Sequence, residues 1–233
     1  MVAISKGACI AEEFKLGKPA LVCRWRLAGR SVPLLNRHMR ALSQRRVQGE
    51  PLTVNLLGWV KQHIEWSLAE DPSAVADGVL MLVVDEDGQA AMSTGAYEPL
   101  ADASPEALIE RAATARAEAD ATGIAPEVLC CSQDGALVLG APESSARSGA
   151  VTFIRQLAET RGHAVSFDPA LPERARIGIA GTLALISDEH GVVVDAAPGD
   201  SGEAADAVAA DAVTDELLTF LSSSFDKLRD SVR

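Results

Sequence analysis

"LAGRSVPLLNRHMRAL", residues 27–42, joins the first recognisable strand of this 233-residue chain to its first recognisable helix. Just upstream, "ALVCRWRL" (20–27) alternates apolar and charged side chains from Cys23 to Leu27, the period of a half-buried strand. That alternation predicts Arg24 and Arg26 on one face and Cys23, Trp25 and Leu27 on the other. Ala28-Gly29 supplies a turn, and "RSVPLL" is expected to return as a strand that Pro33 confines to an edge or a strand end. "LLNRHMRALSQRRV" then predicts a helix, with Leu35, Met39, Leu42 and Val47 near one side.

Outward from this stretch, hairpins and helices keep mixing. Thr53 caps an expected helix carrying Leu57, Val60, Ile64 and Leu68 at helical spacing, and "GVLMLVV-DEDG-QAAMS" (78–93) reads as a hairpin. "SPEALIERAATARAEADATG" has Ser104 at the cap, Pro105 at the first helical position and Gly123 at the end. A hairpin "EVLCCS-QDG-ALVLG", a helix through "VTFIRQLAETRG", a strand "AVSF" and a hairpin "IAGTLALIS-DEHG-VVVD" follow. Residues 196–212 form an acidic low-complexity stretch. A terminal helix over 213–229 places Val213, Leu217, Phe220, Leu221 and Leu228 on one face. The order is not a regular βα alternation, which predicts an α+β fold.

The formal net charge is -12, yet residues 1–61 hold 11 Lys or Arg against three Glu, while the remainder holds 10 against 30 Asp or Glu. The simpler reading is that basic and acidic parts pack on each other. The alternative is an interaction protein whose basic N-terminal part binds an acidic partner. Nucleic acid is not expected as a partner, because one Tyr and apolar-spaced Trp residues offer no base-stacking platform. No apolar run is long enough to span a membrane, and the N-terminus carries no secretory pattern. Cys9, Cys23, Cys130 and Cys131 show neither a CxxC pair nor a disulfide spacing, so a reducing cytoplasm is the expected location. Cys130 and Cys131, neighbours on a strand, should face opposite sides. The four histidines have no metal-ligand spacing. "GDSG" (199–202) has the string of a trypsin-like nucleophile. His63, however, sits in a strong amphipathic helix, which the two-barrel fold of such proteases excludes.

Taken together, "GRSVPLLNRHMRAL", "SARSGAVTFIRQLAETRGHAVSF", "IGIAGTLALISDEHGVVVD" and "TDELLTFLSSSFDKL" resemble, in this order, the fold-type IV enzymes that use pyridoxal phosphate (PLP). These are the class IV aminotransferases and aminodeoxychorismate lyases. The resemblance implies a small N-terminal domain (1–98), a larger mixed C-terminal domain (99–233), a pocket between them and a homodimer. It implies His38 at the end of the hairpin and Thr182 as a phosphate contact.

The departures bear on chemistry. The resemblance places a catalytic lysine near residues 103–107, but no lysine occurs between Lys61 and Lys227. A Schiff base needs a primary amine, and guanidinium stays protonated, so Arg111 is no substitute. Ala41 stands where a phosphate-binding arginine is implied, with Arg40 one position away. Leu139 stands for the glutamate on the pyridine nitrogen, and Ala150 for a phosphate-binding threonine. The expectation is therefore a class IV aminotransferase-like or aminodeoxychorismate lyase-like protein without standard Schiff-base chemistry. It would be a pseudoenzyme, or would act on a small anionic ligand, carboxylate or phosphate, in the inherited cleft. No cofactor is expected on this reading; PLP is expected if a relocated lysine such as Lys61 serves. Candidate cofactor- or anion-binding residues are Arg24, Arg26, His38, Arg40, Ser148, Gly149 and Thr182, the serine and glycine because a helix N-terminus offers free N–H groups. Arg45 and Arg46 are read as a solvated face. Catalytic residues stay unassigned, and no metal site is expected.

Overall fold

The computed structural model describes residues 15–70, 77–196 and 215–231. β1 (Pro19–Ala28), β4 (Asp77–Asp85) and β5 (Ala90–Ala96) form an antiparallel sheet in the order β1-β4-β5. The period-2 pattern of β1 is realised: Leu21, Cys23, Trp25 and Leu27 point into a core with Leu80, Leu82 and Val84. That core is closed by α1 (Leu35–Leu42) and α2 (Val54–Glu70), the latter through Val60, Ile64 and Leu68. Thr53 caps α2, its hydroxyl accepting from Leu56 N at 3.2 Å.

The expected return strand does not form. Gly29 and Arg30 both adopt left-handed backbone, a single bridge joins Ala28 to Ser31, and Leu34 (φ 62) turns the chain into α1. Pro33 has no N–H to extend a ladder. The consequence is that β1 keeps one free edge. Val47 also leaves the helix predicted for it. α1 ends at Leu42, where Ser43 Oγ and Gln44 Nε2 both donate to the Arg40 carbonyl, and Val47 is buried in β2 (Arg46–Val47), which pairs with β3 (Glu50–Pro51).

The second sheet has the order β10-β9-β6-β7-β8. Its strands are β6 (Glu127–Gln133), β7 (Ala136–Leu139), β8 (Val165–Phe167), β9 (Leu183–Ser187) and β10 (Gly191–Val194). Only β7 and β8 run parallel. Asp134 and Gly135, both at positive φ, make the two-residue turn of the β6–β7 hairpin. "VLCC", "LVL" and "LALI" lack alternation because this sheet is covered on both faces. Cys130 packs with Ile154, Ala158, Leu218 and Phe225 beneath α4 (Gly149–Thr160) and α6 (Glu216–Asp230). Cys131 packs on the opposite face with Leu108, Ile109 and Leu171, beneath α3 (Pro105–Thr122) and α5 (Leu171–Arg176). The terminal helix buries Leu217, Leu218, Leu221 and Phe225, while Phe220 and Leu228 are half-buried. Val213 and the acidic stretch, apart from Ala196, lie outside the described residues, as does the "GDSG" string. No described helix is long and apolar enough to cross a membrane.

Candidate functional site

The free edge of β1 forms one wall of a cleft of about 690 Å³, and α3 forms the other. Arg26 N–H donates to the Asp188 carbonyl at 3.1 Å, away from β4. Since backbone groups of alternate residues share an edge, those of Arg24 and Val22 point the same way, into the cleft. From α3, Ala107, Glu110, Arg111, Thr114 and Glu118 recur at three- and four-residue spacing and so line one side. The β9–β10 turn adds Ser187, Asp188 and Glu189. A cleft of this size suits a small molecule.

Three arginines and six carboxylates line it, and each arginine is already held by one of those carboxylates. Arg24 engages Glu189 in a fork, with Nη2 2.7 Å from Oε1. This pairing holds the Arg24 guanidinium above its ordinary value, chiefly through the hydrogen bond. Arg111 forks onto Glu127 at 2.6 and 3.0 Å. Arg45, expected on a solvated face, is buried instead, with Nη1 3.5 Å from Glu118 and 3.3 Å from Thr122 Oγ1. Burial raises the Glu118 carboxyl, with Arg45 opposing it. Cys23 lines the cleft but is no nucleophile: burial pushes its thiol up to about 11.

The most connected group is Asp188. Its Oδ1 accepts from Ala150 N at 2.7 Å, in the first turn of α4, and its carbonyl ties β1 through Arg26. Burial alone would raise its carboxyl. The field of His38, 3.4 Å away, the hydrogen bond from Ala150 N and the charge of Arg45 outweigh that and hold it below the usual aspartate range. His38 is buried, stacks on Trp25 at 5.3 Å between centroids, and brings Nδ1 to 3.4 Å from Asp188 Oδ2. Ser148, fully buried, caps α4 with Oγ accepting from Val151 N at 3.4 Å. A Cβ on Gly149 would lie 2.4 Å from His38 Nδ1, which is why glycine stands there.

The structure thus brings His38, Ser148 and Gly149 together at the start of α4, but none of the three lines the cleft; of these candidates only Arg24 does. Arg26 does not join Arg24 in a shared fork. It is buried, bonds Asp77 at 2.9 Å, and lies 3.1 Å over the Tyr97 ring. Arg40 is exposed on α1 and does not line the cleft. Thr182, half-buried ahead of β9, does not line it either. Sequence reasoning missed Asp188, Glu189, Arg45, Glu118 and the Arg111–Glu127 pair. "DEHG" carried only a turn signal, and partners 38 or 165 residues apart have no local signature. Among the described residues no three His, Cys, Asp or Glu converge as a metal would require.

No protein-family model and no curated protein matches the chain. Solved structures do. A hypothetical aminotransferase from Mycobacterium tuberculosis, in its PLP-bound form, superposes with a TM-score of 0.56 at 10% identity, covering 96% of each chain. A putative branched-chain amino acid aminotransferase from Thermotoga maritima gives 0.55 at 13% identity, covering 94% of this chain and 92% of that one. A fold IV transaminase from Curtobacterium pusillum gives 0.54 at 11%, covering 91% and 85%. The expectation of no cofactor is corrected by these neighbours, because the Mycobacterium protein sharing this fold is a PLP-bound form, and a second structure of it holds PMP and alpha-ketoglutarate. The order of hairpins and helices read from the sequence is therefore the order of a known architecture: the chain has the α+β fold of the fold-type IV, class IV aminotransferases.

Proposed function

We propose that this is a class IV aminotransferase-like protein that does not run lysine-borne Schiff-base chemistry. PLP is the cofactor to which the fold points, and the residues of this cleft do not fit it in lysine-bound form. The observation that carries the reading is that, among the described residues, no lysine lines the cleft. Lys18 pairs with Glu86, Lys61 sits on α2 with its Nζ 3.7 Å from Glu65, Lys227 lies in the last turn of α6, and Lys15 is exposed. Lys6 lies outside the described residues. None of the described lysines stands where it could capture a carbonyl in the cleft as an imine. The Ala150 N–H at the start of α4, a group suited to a phosphate, is already engaged by Asp188.

What the cleft retains is binding. Arg24, with its side chain 51% exposed, is the cation most open to an incoming carboxylate or phosphate, which would have to displace Glu189. The three described cysteines are buried and free, which supports a reducing compartment.

The test uses the purified full chain and one equivalent of PLP, followed by borohydride reduction and peptide mapping by mass spectrometry. The expected result is no single stoichiometric lysine adduct and no amino-group transfer between an amino acid and a keto acid. A stoichiometric adduct on one lysine, Lys6 and Lys61 included, accompanied by turnover, overturns the proposal.

A further inference from the structure

β1 enters the cleft with backbone hydrogen bonds left to make. The N–H and C=O groups of Cys23 and Trp25 point toward β4, and those of Val22, Arg24 and Arg26 point to the other edge. Of these three residues, only Arg26 has a backbone partner there among the described residues. Its N–H donates to the Asp188 carbonyl at 3.1 Å, so the β9–β10 turn already supplies one rung of an added strand. Val22 and Arg24 carry the next two rungs, and both residues line the cleft. Nothing closes this edge against pairing: residues 20–24 hold no proline, and the register with β4 is unbroken from Leu21 to Ala28.

The facing wall carries charge of one sign. Glu189, Glu127 and Glu118 are engaged by Arg24, Arg111 and Arg45. That leaves Glu110 on α3 and Asp102 just ahead of it, both lining the cleft. Asp102 is engaged by Ser104, and no arginine or lysine among the described residues bridges to either carboxylate.

We infer that the cleft receives an extended peptide that adds a strand to the free edge of β1 and directs a lysine or arginine side chain at Glu110 and Asp102. This rests on the reading of the cleft as a binding site, and the two fail separately. A lysine–PLP adduct with turnover ends that reading, whereas amide exchange decides this one.

The test follows amide hydrogen exchange by NMR in the full-length protein, with acetyl-Thr-Lys-Val-Lys-Val-Thr-amide as the probe. A saturating excess of peptide is expected to slow exchange at Val22 and Arg24 about tenfold and to leave Cys23 and Trp25, already bonded to β4, unchanged. The same peptide with glutamate in place of lysine should protect neither, and Glu110→Lys should reverse that preference. Val22→Pro removes a donor that β4 does not use, so it should fold and lose the protection at Arg24. If it does not fold, the wild-type comparison stands alone. Equal protection by both peptides, or protection by neither, overturns the inference, as does a preference that Glu110→Lys leaves unchanged. Slow exchange at Val22 and Arg24 before any peptide is added also overturns it, because the chain itself or a second copy would then cover the edge.

Discussion

Helices α3 and α4 begin with the same device and are completed by different ones. Each has a serine N-cap: Ser104 Oγ accepts from Ala107 N, and Ser148 Oγ accepts from Val151 N. At the start of α3 the side-chain partners are local. Pro105 occupies the first turn, and Asp102 accepts from Ser104 N at 2.7 Å. At α4 the cap is fully buried, and Ala150 N is satisfied by a carboxylate 38 positions away. The difference is one of solvent. An exposed helix start can leave spare N–H groups to water, whereas a buried one needs an acceptor brought from elsewhere in the fold.

The sharpest way to break this contrast is Asp188→Ala. It should cost about 3 kcal/mol in urea unfolding, because it strands a buried N–H and a buried imidazole. A loss no larger than that of an ordinary cap would end the distinction. Acid unfolding sharpens it further. The folded-state value of Asp188 lies below the ordinary 3.8, so its contribution is complete above that value and is lost as the pH falls through the lower, folded-state one. Asp188→Asn should flatten the stability profile in that acidic window, and Ser104→Ala should leave its shape unchanged.

Next comes Gly149→Ala. In an open helix this change helps by up to about 1 kcal/mol, but here the new methyl meets His38, and a loss of about 2 kcal/mol is expected by the same measurement. Ser104→Ala should cost about 1 kcal/mol, the usual value of an N-cap. Arg24→Ala should cost about 0.5 kcal/mol in the absence of ligand, since its side chain is half exposed and such pairs are weak. A loss of several kcal/mol there would make the Arg24–Glu189 fork a structural clamp between β1 and the β9–β10 turn.

Much of the architecture was legible because it is written locally. The alternation of β1, the helical spacing of Val60, Ile64 and Leu68, the caps at Thr53 and Ser104, and the Asp134-Gly135 turn each act within a few residues. Where a local signal misled, a neighbouring residue overrode it. "RSVPLL" looked like a returning strand, but two left-handed residues and a proline turned it away, and that failure created the free edge of β1 on which the cleft depends. Arg45 looked solvent-facing by its setting among charged neighbours, yet α3 closes over it and supplies Glu118 and Thr122. The candidate residues lie in different places: His38 and Gly149 meet at the start of α4, which Ser148 caps, Arg24 alone of the seven lines the cleft, and Arg26, Arg40 and Thr182 lie elsewhere.

Composition and order alone determined two things about this protein: the succession of strands and helices, and the lack of any lysine between positions 61 and 227. Both follow from residue identity and short-range spacing. Tertiary structure decided which charges are neutralised and what occupies the start of α4. Charge pairing and desolvation depend on distance in space, and Glu189 and Asp188 reach Arg24 and Ala150 only once both sheets have folded against each other.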